Sequence, residues 1–458
     1  MISLSQILDI GKKSLSSHQY ALSVTGQNIA NVNTPGYSRQ RAIFQSDIPI
    51  DTIPGPVGTG VKIEDIERIR DQFVDTQVKD QLSQVGEWDK SSSLLTEIES
   101  ILNEPTDTGL SQMISDFFNA WANVSNSPEE TGPRRVLVAK AEVLSDTFNR
   151  LKEQLQSNIT NINKDIEYKV DLINTKAGEI AQLNGQIVKS EAGGQTANDL
   201  RDKRDKIVNE LASFANIQTV ESDDGSVAVY VNYKVIVDRL STVELTTEMT
   251  DRAGVKMRDI MYNGEKLEPQ SGELHATLYI RDEQIPEYID KLDTLAGSII
   301  DEVNTVHRAG YGLDGTTAKS FFSGADASSI SVSSAILSDL SLIAASSTGG
   351  PGSGNTALQI SKLANSLSMN DGTATFADFY SSTVAEIGAT TETAGIMLDN
   401  ENALLTQLKN YQDSVSGVSL DEEYTNMINY QHGYEAAAKV VSMANGLFAT
   451  ILGMVGVS

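Results

Sequence analysis

The chain has 458 residues, with 62 acidic against 35 basic side chains, a net charge of −27 and no cysteine. At roughly 150 residues per domain, this length predicts about three domains, each able to bury a core. The acidic balance argues against nucleic acid or anionic lipid as a partner. Without cysteine the chain can form no disulfide, thiolate zinc site or cysteine nucleophile.

The amino-terminal segment has no basic start, no unbroken apolar run and no small-residue cleavage pattern. It is therefore not expected to act as a cleaved Sec signal peptide. No segment is expected to reach the roughly 18 apolar residues of a membrane span. Composition alone leaves the compartment open, because export without a cleaved signal would leave the same pattern.

The first element is a long helix, since Ser3 and Gln6 have the spacing of a capping box and no proline interrupts the chain as far as Asn31. One stripe of the helix repeats every seven residues: Leu8, Leu15, Leu22 and Ile29. The intervening stripe positions are weaker: Leu4, Gly11, His18 and Thr25. This heptad repeat predicts a helix that pairs with another helix as a coiled coil.

The last predicted element is a second long helix with the same features as the first. Ser419 and Glu422 again have capping-box spacing, and acidic residues fill the expected first turn. Apolar or small residues then recur alternately three and four apart: Met427, Tyr430, Tyr434, Ala437, Val441, Ala444, Phe448, Ile451 and Val455. Together the two ends predict two halves of one coiled coil. The alternative is that each is an ordinary amphipathic helix packed on its own domain.

Between the ends, helical patterns cover 72–102, 110–126 and 133–190. The segment Asn198 to Asp205 places opposite charges four residues apart, Arg201 with Asp205 and Asp202 with Lys206. This spacing supports another exposed helix, for which a solvated face is the favoured interpretation.

The period then changes from helical to alternating within 216–282, which is predicted as a β-rich insertion. Strand-like runs occur at Val227 to Val231, Val235 to Val237 and Leu274 to Ile280. Asp224-Gly225 and Asn263-Gly264 are turn signals, the second a strong hairpin signal. Helical periodicity returns at Tyr288, and a Gly- and Ser-rich loop covers 346–354. The predicted fold class is mainly α with this β-rich insertion.

No motif predicts catalysis or metal binding. The histidines, His18, His275, His307 and His432, lie in different segments without metal-ligand spacing. The loop before Thr356 resembles a phosphate loop only superficially, because Asn355 stands where the lysine is needed. We therefore expect no cofactor, no metal and no enzyme activity, although sequence spacing does not reveal carboxylates that meet only in space.

The most specific motif follows the first helix, over Asn28 to Gln40. Within it the turn consists of Asn31, Thr34, Pro35, Gly36 and Tyr37. The proline excludes the preceding residue from the helical region, and the glycine permits a turn. Beyond it, 41–45 looks extended, and Pro49, Pro54, Gly55 and Pro56 predict a stiff connection.

This motif resembles the amino-terminal signature of the rod, hook and hook-associated group of bacterial flagellar axial proteins. The continuation Tyr37-Ser38-Arg39-Gln40 favours the hook-associated branch, since hook protein more often has phenylalanine and lysine after the glycine. Three further segments are similar to that branch: 198–205, 299–310 and 426–451. The resemblance is weakest in the β insertion.

The resemblance implies a secreted structural subunit at the junction between hook and filament, exported by the flagellar type III apparatus. It implies a terminal coiled-coil domain (1–34 and 419–458), a helical-bundle middle domain built from both halves of the chain (35–215 and 283–418) and an outer β domain (216–282). The expected partners are further copies of the chain, hook protein, a second hook-associated junction protein and a cytoplasmic export chaperone covering the last helix.

The expected assembly interface combines the first helix, at Leu8, Leu15, Leu22 and Ile29, with the last helix, at Met427, Tyr434, Val441, Phe448 and Ile451. Because its seam contains small and polar residues, we expect both helices to become ordered only as subunits stack. Alternatives are a hook or distal-rod subunit, a cell-wall hydrolase on an axial scaffold, and a secreted adhesin.

Overall fold

The computed structural model describes residues 3–53, 55–102, 109–252 and 254–456. The helices are α1 (Leu4–Ala30), α2 (Gln72–Leu102), α3 (Leu110–Asn126), α4 (Thr131–Glu191), α5 (Asn198–Phe214), α6 (Glu273–Tyr279), α7 (Ile285–Ala309), α8 (Ser334–Ser338), α9 (Asn355–Lys362), α10 (Phe376–Ser416) and α11 (Leu420–Val455). A π-helical turn, Ile280–Gln284, joins α6 to α7. The chain is thus mainly helical, as predicted.

The strands occupy shorter stretches. They are β1 (Gln40–Ser46), β2 (Ile50–Thr52), β3 (Gly55–Val57), β4 (Val61–Arg68), β5 (Ile217–Glu221), β6 (Val227–Val231), β7 (Lys234–Asp238), β8 (Ser241–Thr242), β9 (Leu245–Arg252), β10 (Val255–Tyr262), β11 (Glu265–Lys266), β12 (Phe322–Ser323) and β13 (Ser331–Val332).

The chain forms two compact units. Unit 1 contains Met1–Val85, Asp171–Leu245 and Glu401–Ser458, and unit 2 contains Gly86–Val170 and Thr246–Asn400. The strands of the predicted β insertion therefore fall into two sheets, β5 to β8 in unit 1 and β9 to β11 in unit 2. The division into terminal, middle and outer domains stays a prediction.

Unit 1 is held by helix pairing and short sheets. Helix α1 packs on α11 and on the strands β1 and β4. Where α2 meets α10, Val74, Val78 and Leu405 form a buried apolar cluster. In the sheet of β5 to β8, each strand pairs antiparallel with the next.

Unit 2 has an aromatic core. Phe117, Trp121, Phe321 and Phe322 are fully buried, with ring centroids 5.0 to 6.5 Å apart in tilted or edge-to-face arrangements. Such pairs add to the stabilisation that burial of the rings supplies.

The long helices confirm the predictions from periodicity. The bounds of α2 and α3 coincide with the predicted ranges 72–102 and 110–126, and α4 extends the predicted range 133–190 by one or two residues at each end. The prediction of a strand from Leu274 to Ile280 is wrong, because these residues belong to α6 and to the first position of the π-helical turn. Leu274 and Leu278 are both buried and lie four residues apart, so the run also fits a helical period.

The segment after the signature turn is a two-part hairpin, not a stiff connection. Strand β1 pairs antiparallel with β4, and β2 pairs with β3 at the far end. The Asp47 amide donates to the Gly60 carbonyl at 2.9 Å where the two parts join. Pro54 lies outside the described residues, and so does the side chain of Val455 in the predicted seam.

Both predicted turns are confirmed. Asn263 and Gly264 have φ of 49° and 81° and join β10 to β11 with Tyr262 opposite Glu265. These positive angles are those of a type I′ turn, which matches the twist of paired strands. Gly225, with φ of 78°, lies in the turn between β5 and β6.

His307 in unit 2 is fully buried and electrically neutral. Its Nε2 accepts a hydrogen bond from the Ala344 amide at 2.9 Å, so its Nδ1 must carry the proton that it donates to the Lys319 carbonyl at 2.8 Å. Burial lowers the pKa of His307 to about 4, from about 6.5 in an unfolded chain. Between these pH values the unfolded chain binds the extra proton and the folded chain does not.

Lowering the pH from 6.5 towards 4 should therefore remove up to about 3 kcal/mol of the stability of unit 2 through this one residue. The His307→Gln variant cannot titrate there and should show a correspondingly smaller loss. Denaturant unfolding at several pH values measures the difference, with His432→Gln, at an exposed histidine of α11, as the control. An identical pH dependence in wild type and His307→Gln would contradict the expectation.

Candidate assembly interface

Helix α1 begins with the predicted capping box. Ser3 Oγ accepts a hydrogen bond from the Gln6 amide at 3.3 Å, and Gln6 Oε1 accepts one from the Ser3 amide at 2.7 Å. Helix α11 differs, because Ser419 stands at its N-cap without a side-chain capping bond. The second predicted capping box is wrong: the carboxylate of Glu422 accepts from Arg39 at 2.6 Å instead.

Helices α1 and α11 pack side by side and run antiparallel. Positions early in α1 meet positions late in α11, and the order reverses along the pair: Gly11 lies against Val441, His18 against Gly433, and Asn28 against Glu423. The start of α1 and the end of α11 therefore lie at the same end of the pair. The predicted pairing of the terminal helices is present within one chain.

Small residues lie in the contact between the two helices. A methyl group on Gly11 would lie 2.7 Å from Val441 Cγ2, and one on Gly433 would lie 2.5 Å from the ring of His18. Ala437 and Ala444 of α11 are also buried. Small side chains at these positions let the two backbones come together without a steric clash.

The predicted heptad stripe of α1 borders this contact. The residues that α1 buries are Gly11, Ser17, Ala21, Val24, Thr25 and Asn28. Leu8, Leu15, Leu22 and Ile29 are only half-buried. Each lies four residues after a position of the weaker stripe, and therefore in the neighbouring row on the helix surface.

The predicted positions on α11 fall into two groups. Met427, Val441 and Phe448 are half-buried, whereas the side chains of Tyr434 and Ile451 are exposed. Their place in an assembly interface stays a prediction, as does the expectation that the helices become ordered only when subunits stack.

The carboxy-terminal part of α11 is strongly apolar and largely exposed. No charged residue follows Lys439. One 18-residue window within Phe376–Met454 has a mean hydropathy of 1.4. By its length and composition alone, this helical segment could cross a membrane. The sequence-based expectation that no segment approaches this limit is therefore wrong. A single such window is weak evidence for a membrane segment, since a helix that another protein surface covers has the same composition.

Asn28 connects the signature turn to both terminal helices. Its Oδ1 accepts from the Tyr37 hydroxyl at 2.8 Å and from the Gln40 amide at 3.0 Å. Its Nδ2 donates to the Gln40 carbonyl at 2.8 Å and to Glu423 Oε2 at 3.0 Å. This buried amide therefore uses both its donor and its acceptor to hold α1, β1 and α11 together.

The turn residues form the expected helix exit. The Asn31 side chain donates to the Gln27 carbonyl at 3.0 Å, and the Thr34 hydroxyl donates to Asn31 Oδ1 at 3.1 Å. Pro35 and Gly36 follow at the surface, with φ of Gly36 at 82°. The chain then reverses, which places the Tyr37 hydroxyl on Asn28.

Arg39 pairs with the first turn of α11. Its Nε donates to Glu423 Oε1 at 2.7 Å, and its backbone amide donates to the Ser416 carbonyl at 2.9 Å. Glu423 is almost completely buried, whereas the side chain of Glu422, the second partner, is 62% exposed. Burial alone would lower the pKa of Arg39, but these two carboxylates raise it.

Helix α5 anchors the turn from the other side. The Ser38 amide and hydroxyl donate to the carboxylate of Asp202 at 2.9 and 2.8 Å, and Arg68 donates to Asp202 at 2.8 Å. Asp202 and Arg204 are buried, so the predicted solvated face of this segment is wrong. Arg201 pairs with Glu191 and Glu221 instead of Asp205.

Asp205 completes this charged cluster. Its carboxylate pairs with Arg68 at 2.9 Å and with Arg70. Burial would raise the pKa of Asp205, but Arg70, Arg68 and Arg204 together hold it below its ordinary value. The cluster can thus remain ionised while buried, because each charge has a partner.

In the described part of the chain, no group of three histidine, aspartate or glutamate side chains could hold a metal ion. The buried polar groups around the signature turn instead bond to one another. This arrangement fixes the angle at which the chain leaves the terminal helices.

Three family models match the chain. The one described as the helical domain of flagellar hook-associated protein FlgK matches residues 95–322. Residues 8–37 match the flagella basal body rod protein family, and residues 413–454 match the carboxy-terminal family of the flagellar basal body rod FlgEFG proteins. The two rod matches cover most of α1 and α11.

Curated relatives align along the whole chain. Flagellar hook-associated protein 1 of Bacillus subtilis (strain 168) is 28% identical over 98% of this chain and 98% of its own length. The protein of the same name from Escherichia coli (strain K12) is 25% identical over 98% of this chain and all of its own. The alignment with the Escherichia coli relative runs over 547 positions, more than the 458 residues of this chain, so that relative has residues that this chain lacks.

A solved structure of a flagellar protein has a similar fold. The flagellar hook junction protein FlgK from Burkholderia pseudomallei superposes with a TM-score of 0.69, at 16% identity, over 74% of this chain and all of the solved chain. At this identity the likeness concerns the fold.

Proposed function

Because the chain belongs to the flagellar hook-associated protein 1 family, we propose that it is a structural subunit of the bacterial flagellum that forms the junction between hook and filament. The observation that carries this proposal is the alignment of relatives with that name over 98% of the chain. The match of residues 95–322 to the FlgK helical domain supports the junction role over that of a hook or rod subunit. The rod models match only the ends.

The subunit assembles through its terminal helices. In a single chain α1 and α11 already cover part of each other, but the outer side of α11 exposes large apolar residues such as Met443 and Leu447. Neighbouring copies would remove this surface from water, which is the main driving force for association.

Several further roles belong to the same proposal. The subunit is exported and becomes part of the extracellular flagellum, where it contacts hook protein on one side and a second hook-associated protein on the other. A cytoplasmic chaperone covers α11 before export. The chain has a structural role without catalysis or cofactor and binds neither membrane nor nucleic acid.

Deleting the gene tests the proposal by electron microscopy. The deletion strain should carry complete hooks without filaments, and a plasmid copy of the gene should restore both filaments and swimming. Loss of the hooks themselves would instead indicate a hook or rod subunit. Normal filaments in the deletion strain would overturn the proposal.

A further inference from the structure

The β2–β3 hairpin and the segment just before it expose three isoleucines. The side chains of Ile48 and Ile53 are 78% and 97% exposed, and Ile50 is exposed as well. Large exposed apolar side chains that lie close together in the chain are typical of a surface that a partner covers. We call Ile48, Ile50 and Ile53 the hairpin patch.

A second exposed apolar surface lies on α11 of the same unit. It follows helical spacing, so that its members form one line on the helix surface. The line consists of Val440, Met443, Leu447, Ile451 and Met454, all of them exposed. We call these five residues the α11 stripe.

The hairpin and α11 lie on different faces of α1. The hairpin approaches Ile10, whose Cα would lie 3.4 Å from a methyl group on Gly60, whereas Gly11 faces Val441 of α11. Consecutive residues of a helix point roughly 100° apart. The hairpin and α11 therefore contact α1 on different sides.

The α11 stripe is rotated from the side of α11 that faces strand β1. Tyr430 marks the side of α11 that faces the strands, because its ring lies 5.8 Å from that of Phe44 in β1. At roughly 100° per residue, Ala437 and Ala444 are rotated from Tyr430 by roughly 20° and 40°, and Leu447 by roughly 100° in the same direction. The hairpin patch and the α11 stripe are thus two separate surfaces of unit 1.

The two surfaces are also complementary in charge. One exposed acidic residue, Asp51, lies beside the hairpin patch, between Ile50 and Ile53 in the chain. The α11 stripe begins directly after one exposed basic residue, Lys439, and contains no charge of its own. If the apolar surfaces meet, Asp51 can approach Lys439 at the edge of the contact.

We propose that the hairpin patch of one copy docks on the α11 stripe of the next copy. A contact between two different surfaces is head-to-tail, so it repeats from subunit to subunit and builds a ring or a helical layer. The contact rests on the proposed function and names the surfaces through which copies associate side by side. It buries the isoleucines against apolar side chains and places Asp51 beside Lys439.

Engineered cysteines test the contact directly, because the chain has no cysteine of its own. The Ile53→Cys, Leu447→Cys double variant should form covalent multimers when flagella isolated from a complemented deletion strain are oxidised. A disulfide needs Cα atoms within roughly 7 Å of each other. The matched control is Ile53→Cys, Ser442→Cys, because Ser442 lies on a different side of α11 by the same helical geometry.

Multimers in the first variant and their absence in the control support the proposal. Flagella that assemble normally but yield no multimers, or that yield them equally with the control pair, would overturn it. Adding Asp51→Lys to the first variant should lower the multimer yield, and adding Lys439→Asp as well should restore it. If the deletion strain keeps its filaments, the proposed function fails; if it loses them and the cross-link is absent, the contact alone is wrong.

Discussion

Val441→Asp is expected to abolish filament formation and swimming while unit 2 remains folded. The half-buried Val441 side chain lies directly against Gly11 of α1. A carboxylate there would lose part of its hydration against α1, at a cost on the order of 3 kcal/mol. The carboxylate regains its hydration if α1 separates from α11. This separation disrupts the helix pair through which the subunits are proposed to assemble.

The measurement is complementation of a deletion strain, scored by swimming and by electron microscopy of the hooks. Ser442→Asp is the matched control, because it adds the same charge to the exposed neighbouring position. Leu15→Asp should have a smaller effect than Val441→Asp, since Leu15 lies at the border of the contact. Swimming cells that carry Val441→Asp would show that the helix pair does not support assembly.

The terminal helices were predictable, but the row of residues that joins them was only partly so. Heptad leucines indicate which side of a helix is apolar, and that side does adjoin α11. Closely packed helices, however, select small residues at the point of nearest approach, and Gly11 carries no hydrophobic signal. The sequence pattern therefore indicates most strongly the row that contains Leu8 and Leu15, whereas the weaker row that contains Gly11 and His18 makes the contact.

The charged cluster of Asp202, Asp205 and Arg68 beside the signature turn could not be predicted from the spacing of charges along the sequence. Within 198–205 the sequence shows only charges four residues apart, which is also the pattern of a solvated helix. The partners that bury Asp202 are Ser38 and Arg68, more than 130 residues away in the chain. Such a contact becomes visible only when the fold brings the segments together.

Turns were predictable where the backbone itself requires a particular residue. Asn263 and Gly264 have positive φ angles that few other residues adopt. The hairpin of β1 to β4 was missed beyond its first strand, because Pro49 and Pro56 suggest an irregular connection. Here Pro56 lies in the short strand β3 opposite Asp51, a position that edge strands tolerate.

Glu423→Ala is expected to destabilise unit 1 by about 3 kcal/mol and to loosen the signature turn. Glu423 is buried and accepts hydrogen bonds from both Asn28 and Arg39. Its removal leaves the buried Asn28 amide and the largely buried Arg39 guanidinium each without one hydrogen-bond partner. Leaving a buried donor unpaired costs more free energy than removing both partners of a hydrogen bond. Urea unfolding gives the loss, and hydrogen exchange of the 31–40 amides should become faster.

Glu422→Ala is the matched control, because Glu422 contacts the same guanidinium from an exposed position. An exposed ion pair contributes at most about 1 kcal/mol, so this variant should remain close to wild type. A larger loss from Glu422→Ala than from Glu423→Ala would contradict the expectation. Both variants remove one negative charge from the first turn of α11. The difference in their free energies of unfolding therefore measures how much the burial of Glu423 contributes to holding the signature turn.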